Sequence, residues 1–224
     1  MALAFSLRYA RFVDVRRILV LLPLLYAGPC SAQDAEVGIA IGYGVYRNGS
    51  ILAPGGTAKA GFKNRFAVSA VITEDEYDHL SGEFRYTYQD GDPFIAARGA
   101  DTRLQGQSHA FAYDVNVHFR PLDRRIRPYV TAGVGAKLYI IRGPANLDQP
   151  LADIATLTTS NDLKLLVVGG GGVKMRVQRH MTVRVDFLDY ITPFPKTQIH
   201  PVPLATPRGI LHQFTPMVGI SYVF

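Results

Sequence analysis

Residues 211–224 read LHQFTPMVGISYVF, and their alternation decides the fold. Phe214, Val218, Ile220, Tyr222 and Phe224 recur at every second position, with His212 and Pro216 the exceptions on that face. Between them stand Gln213, Thr215, Met217, Gly219, Ser221 and Val223, mostly small or polar. A period of two means a β-strand with two unlike faces. A terminal strand ending on a bare Phe224 is expected to close a sheet in an apolar surrounding. Alternation alone leaves open which face is buried, because a soluble barrel alternates too.

The opposite end predicts export. Arg8, Arg11, Arg16 and Arg17 precede the apolar run Ile18–Ala27, which is followed by GPCSA. That is a charged region, a short apolar region and small residues suited to cleavage after Ala32. The expected domains are therefore a cleaved signal peptide, 1–32, and a single barrel domain, 33–224. The apolar run is too short to span a bilayer as a helix, and no longer one follows it. Only a barrel places such a mature chain in a membrane. Cys30, the sole cysteine, leaves with the signal, so no disulfide and no thiolate metal site is expected. The four arginines and one aspartate of residues 1–32 supply three of the six net positive charges. The basic balance of the chain is thus no argument for a nucleic-acid partner.

Eight strand-like segments follow: Glu36–Arg47, Thr57–Ile72, Leu80–Gln89, Gln105–Arg120, Arg127–Arg142, Leu163–Val177, His180–Tyr190 and Gly209–Phe224. Their connections alternate in length. NGSILAPGG, DGDPFIAARGADTRL, GPANLDQPLADIATLTTSND and ITPFPKTQIHPVPLATPR are long, while TEDEYDH, PLDRRI and QR are short. Long loops on one side and short turns on the other describe an up-and-down transmembrane meander. The expected fold is all-β, an eight-stranded antiparallel up-and-down transmembrane β-barrel.

The second face indicates which side meets lipid. In the first segment Val37, Ile39, Ile41, Tyr43 and Val45 oppose Gly38, Ala40, Gly42 and Gly44. In the fourth, Phe111, Tyr113, Val115, Val117 and Phe119 oppose Ala112, Asp114, Asn116, His118 and Arg120. A face of glycines with occasional charges makes a poor solvent surface and suits a cramped polar lumen. The residues expected there are Lys59, Lys63, Arg65, Glu83, Arg85, Asp114, Lys137, Lys174, Arg176, Arg184 and Asp186. Buried charges must be paired or hydrated. Both signs are present, so a salt-bridge ladder plugging the lumen is expected, with a basic excess. Three features fit this scheme badly. Asn64 falls on the apolar face, the alternation fades between Leu165 and Val168, and Leu188–Tyr190 reads as a bulge.

With these features in place, the chain resembles the OmpA/OmpX-like eight-stranded outer-membrane β-barrels. The resemblance rests on MVGISYVF at the end, on VVGGGGVKMRVQRHMTVRVDFLDY as strand, tight turn and return strand, and on RPLDRRIRPYVTAGVGAKLYI as another hairpin. It implies a bacterial outer-membrane location and contact with outer-membrane lipids. It also implies recognition by the barrel assembly machinery through Ile220, Tyr222 and Phe224 of the last strand. The wall-anchoring domain of OmpA proper is not expected here.

Four functional readings follow. The leading one is a monomeric barrel with a structural or surface-interaction role, whose long loops meet an extracellular ligand or host surface. The alternatives are a narrow anion-preferring pore, a lipid A-modifying barrel enzyme and a soluble lipocalin-like binding barrel. The enzyme needs a serine and a histidine within reach. Ser108 and His109 are the candidates, but neighbours on a strand point to opposite faces. No catalytic residue is therefore assigned. The six histidines show no metal-ligand spacing, and Gly169–Gly172 lacks the Gly-Lys-Ser/Thr ending of a phosphate loop, so no metal or cofactor is expected.

Overall fold

The computed structural model describes residues 35–143 and 149–224. The expected signal peptide lies outside the described residues. The elements in chain order are β1 (Ala35–Arg47), β2 (Gly49–Ala53), β3 (Gly56–Phe62), β4 (Arg65–Tyr77), β5 (Leu80–Asp90), β6 (Pro93–Ala97), β7 (Ala100–Arg103) and β8 (Gln105–His118). There follow β9 (Ile126–Arg142), β10 (Ala155–Leu157), β11 (Asn161–Gln178), β12 (Met181–Pro193), β13 (Ile199–Pro201), β14 (Thr206–Arg208) and β15 (Ile210–Val223).

Eight of these strands close into an antiparallel barrel in the order β1-β15-β12-β11-β9-β8-β5-β4. β15 seals it by pairing with β1, from Glu36 opposite Val223 to Arg47 opposite His212. Side chains alternate through the wall as the sequence pattern requires. Ile39 and Val134 on the outside are 61% and 63% exposed, while Glu83 and Arg184 on the inside are fully buried. Interior glycines make room for the charges beside them. A Cβ at Gly133 would lie 2.1 Å from Asp114 Oδ1, and one at Gly219 would lie 3.0 Å from Arg184 Cγ.

The long connections depart from the expected irregular loops. They fold into a cap. β14, β2, β3, β6 and β7 form a five-stranded sheet, and β10 pairs with β13. The expected segment Thr57–Ile72 is in fact two strands that part at Lys63 and Asn64, β3 joining the cap and β4 the barrel. Two asparagine side chains stand in for the ladder at this parting. Asn48 Oδ1 accepts the Phe62 N–H at 2.8 Å, and Asn64 Oδ1 accepts the Tyr46 N–H at 2.8 Å. Asparagine competes well for backbone donors, so the β1–β4 ribbon bends there without leaving these amides unpaired. This use also explains why a polar Asn64 falls in line with the apolar face.

The cap has its own apolar core. Ile51, Phe62, Ile95, Leu151, Ile154, Leu157 and Ile199 are buried together. Tyr46, Tyr139, Ile141 and Leu211 of the barrel strands belong to the same cluster, so cap and upper barrel share one interior. Phe62 stacks on Tyr139 with ring centroids 4.9 Å apart.

This shared core resolves the two remaining irregularities. β11 and β12 do not lose their alternation. Leu166, Val168, Leu188 and Tyr190 point inward and are buried, while Leu165, Val167 and Phe187 point outward. Asp189 between them points outward and pairs with His212 at 2.7 Å. The period holds, and no bulge occurs at Leu188–Tyr190, where the register with β11 and β15 is continuous. What changes is the chemistry of the two faces. Towards the cap the inside admits apolar side chains, while the outside stays largely apolar at Leu163, Leu165 and Phe187 and gains the polar pair of Asp189 and His212.

Candidate functional site

The barrel interior is built in layers, beginning at the short-turn end. Lys174 Nζ donates to Glu36 Oε2 at 2.7 Å, and Arg127 Nη1 reaches Asp75 at 3.4 Å. His118 Nε2 shares a 3.0 Å hydrogen bond with Ser81 Oγ. These side chains come from six strands that only the closed barrel brings together.

The next layer is a five-membered ion cluster from β5, β8 and β12. Arg85 donates to Glu83, to Asp114 at 3.1 Å and to Asp186 at 3.3 Å. Arg184 donates to Glu83 at 2.8 Å and to Asp186 at 2.9 Å. Tyr129 donates its hydroxyl proton to Asp186 and accepts from Arg184 Nη2 at 3.0 Å. All five charged side chains are wholly inaccessible to solvent. Guanidinium presents several donors in a fixed plane, so each arginine can satisfy more than one carboxylate across the lumen.

Above the cluster the interior becomes nearly neutral. Thr87 Oγ1 and the Tyr190 hydroxyl are 2.9 Å apart. Lys137 then stands as a buried cation whose Nζ donates to the Tyr46 hydroxyl at 3.3 Å and to Gln213 Oε1. Its ammonium also lies 5.2 Å and 5.0 Å from the ring centroids of Tyr46 and Tyr139. Cation–π attraction is strongest where water is excluded, as here. The Tyr139 hydroxyl lies 2.9 Å from Thr192 Oγ1 and leads into the cap core.

The structure therefore brings together Glu83, Arg85, Asp114, Arg184 and Asp186, and places Lys137 and Lys174 in layers above and below them. Four expected members lie elsewhere. Lys63 sits at the parting of β3 and β4 with its Nζ 4.5 Å from the Phe94 ring centroid. Arg65 is about half exposed at the rim and pairs with Asp92 at 2.5 Å. Both lie outside the lumen because the chain forms two strands here, not the single one expected. Arg176 sits at the short-turn end, where Nη2 donates to the Leu122 carbonyl at 3.0 Å and ties down the preceding turn. Lys59 lies exposed on the cap sheet.

Glu36, Asp75 and Arg127 escape the sequence pattern because each lies near a strand end, where membership of a face is hardest to read. With them the expected basic excess shrinks. The inward carboxylates Glu36, Asp75, Glu83, Asp114, Asp162 and Asp186 face the inward cations Arg85, Arg127, Lys137, Lys164, Lys174 and Arg184, and Arg176 joins Glu36, Asp75 and Lys174 at the short-turn end.

Among solved structures, Neisserial surface protein A superposes with a TM-score of 0.53 over 85% of this chain and 97% of its own, at 10% sequence identity. The fold is that of the eight-stranded outer-membrane barrels. Weaker likenesses include Ail, the attachment invasion locus protein of Yersinia pestis, and the outer membrane protease OmpT of Escherichia coli. Ail scores 0.43 at 13% identity, covering 85% of this chain and 99% of its own. OmpT scores 0.44 at 10% identity, covering 88% and 99%. No protein-family model matches the sequence, and no curated protein is similar to it.

An outer-membrane barrel fold does not specify an activity, so the site must be read on its own terms. Ser108 points inward and is buried. His109 points outward, where its Nδ1 lies 2.8 Å from the Tyr86 hydroxyl and its Nε2 lies 3.2 Å from Gln107 Nε2. The wall of the barrel separates the two, and they form no nucleophile–base pair.

Proposed function

We propose that the protein is a monomeric outer-membrane barrel with a closed lumen, exported by a cleaved signal at residues 1–32. In this reading its role is structural and surface-interactive, and the folded cap is the part that meets extracellular partners. The observation that carries the reading is the solvent-free ion cluster of Glu83, Arg85, Asp114, Arg184 and Asp186, three carboxylates held by two guanidiniums, beneath the cap core. A permeating ion would have to break pairs that water no longer screens, and beyond them cross an apolar core.

The apolar outer wall supports the membrane setting. Barrel strands of 11 to 18 residues are long enough for a tilted strand to cross the hydrocarbon layer. A charged interior with an apolar exterior is also the reverse of a soluble lipocalin-like barrel. The last strand, with Ile220 and Tyr222 facing outward, is proposed as the element the barrel assembly machinery reads.

Planar-bilayer recordings on the refolded full chain test the closed lumen. Silence is expected at moderate voltage. Stable unitary currents with anion preference would establish the pore instead. Unheated and boiled samples should differ in gel mobility, and solubility without detergent would defeat the membrane reading.

A further inference from the structure

The short-turn mouth of the barrel carries a pocket that the closed lumen does not use. The buried part of its lining is the lowest layer of the interior, where Lys174 holds Glu36 at 2.7 Å and Arg127 reaches Asp75 at 3.4 Å. Arg124 and Arg125, both exposed, and the half-buried Arg176 line the rest, with Thr182 adding a hydroxyl. Five cations and two carboxylates thus face one pocket, an excess of three positive charges. The mouth is held in shape. The Arg176 N–H donates to the Arg125 carbonyl at 2.8 Å, and Arg176 Nη2 donates to the Leu122 carbonyl at 3.0 Å. These two bonds pin the turn between β8 and β9 against the end of β11.

The excess charge has no internal answer. Neither Arg125 nor Arg176 makes an ion pair among the described residues, and Arg124 makes only an exposed 3.7 Å contact with Asp123. The side-chain carboxylates of Glu74, Glu76 and Asp78 belong to the end of β4 and the turn after it, and they line no part of the pocket. Deeper in, Arg127 Nε and Glu36 Oε1 are buried without a hydrogen-bond partner among the described residues. A donor and an acceptor left open in one pocket call for a group that both accepts and donates. The enclosed volume of about 20 Å³ admits one group of that size. A water answers these two atoms but leaves the three positive charges uncompensated. A protonated phosphate oxygen answers the two atoms, and the rest of its anion answers the charge.

We infer that this mouth binds a soluble polyanion of the phosphate type, a diphosphate or a phosphate ester, with one oxygen in the pocket and the others on Arg124, Arg125 and Arg176. Guanidinium meets phosphate oxygens in pairs, through two parallel N–H donors. The commitment to a soluble ligand comes from the direction of approach. The buried lining belongs to the inward faces of β1, β4, β9, β11 and β12, so the site opens along the barrel axis and not onto the lipid around the wall. The ion cluster of Glu83 and Arg184 beyond it makes the site a dead end. In that respect the inference rests on the closed lumen proposed above.

The test uses the full chain refolded in a non-ionic detergent, with the gel-mobility difference between unheated and boiled samples scored first. Absence of that difference would remove the barrel reading before any ligand is added. The probe is pyrophosphate, titrated calorimetrically at low salt against wild type and variants. Saturable binding is expected, weakened about tenfold by Arg176→Gln and several-fold by Arg125→Gln. Arg125 is exposed on a turn, so its substitution keeps the test decisive where Arg176→Gln fails to refold. Arg179→Gln, a matched charge removal on the turn between β11 and β12, lies outside the pocket and should leave binding unchanged. An equal loss with Arg179→Gln would reduce the effect to general electrostatic attraction and overturn the site. Displacement of pyrophosphate by phosphatidylglycerol added to the micelles at the same concentration would overturn the soluble assignment. Equal displacement by hexaglutamate would overturn the phosphate class in favour of an acidic peptide. No saturable binding in folded wild type would overturn the whole proposal. The closed lumen is scored separately in planar bilayers, where currents carried by pyrophosphate would overturn the dead end.

Discussion

The lower and upper halves of the barrel interior solve the same problem in opposite ways. Around Glu83 and Arg184 the lumen is filled by full charges, and the wall outside is apolar. Around Tyr139 and Leu166 the lumen is filled by apolar, hydroxyl and amide side chains with Lys137 among them, and the outside stays apolar at Leu165 and Val167 but carries the polar pair of Asp189 and His212. The difference teaches that face and polarity are separate properties of a strand. Alternation sets which residues point inward, while the surroundings at each height set what those residues should be. Where lipid surrounds the wall, the polar side must go in. Where the cap supplies an apolar ceiling, apolar side chains can point in as well as out.

The largest break in this comparison is expected from Arg184→Ala. Removing one partner leaves Glu83 and Asp186 buried without enough cations, at a cost of about 3–5 kcal/mol. Urea unfolding of the refolded barrel, followed by gel mobility, should show it, and a change below about 1 kcal/mol would mean that water enters the cluster. Leu157→Ala in the cap core should cost about 2–3 kcal/mol. Because the damage is confined to the cap, loop proteolysis should accelerate while the barrel keeps its unheated mobility. Loss of both together would show that cap and barrel unfold as one unit.

Lys137→Met probes the boundary between the halves. The ammonium has hydrogen bonds and two aromatic faces but no carboxylate partner, so an apolar replacement of similar length removes a desolvated charge. A gain of about 1 kcal/mol is expected, the opposite sign to Arg184→Ala. A clear loss in the unfolding midpoint would show that its bonds to Tyr46 and Gln213 outweigh desolvation. The smallest effect belongs to Asp189→Asn. Its pair with His212 is partly solvated, and the change in stability should stay under about 1 kcal/mol in a salt titration.

The lower half was the legible one. Phe111, Tyr113, Val115 and Val117 opposite Asp114 and Asn116 state their faces directly, and the glycine rows announce a crowded interior. The cap was not legible, because its strands are three to seven residues long and pair across segments far apart in the chain. Nothing local in LAPGG or HPVPLATPR records that Thr206–Arg208 will join β2. Lys63 and Arg65 were misassigned for a related reason. Alternation runs on through Phe62 and Phe66, and only the tertiary use of Asn48 and Asn64 shows the strand parting between them. The apolar inward run Leu166, Val168, Leu188 and Tyr190 hid the period because both faces are apolar there.

The ion cluster also constrains the order in which the barrel comes into being. Arg184 and its partner Glu83 stand 101 positions apart in the chain, on strands that are not neighbours in the sheet. No single hairpin contains a complete set of partners. Until β15 meets β1, the guanidinium and carboxylate groups of β5 and β12 have no dry enclosure, and hydration must hold them. Contacts between such distant segments form late, after the loop entropy between them has been lost. Sealing the seam and drying the charges are thus one event, and a half-assembled wall has little to gain from persisting.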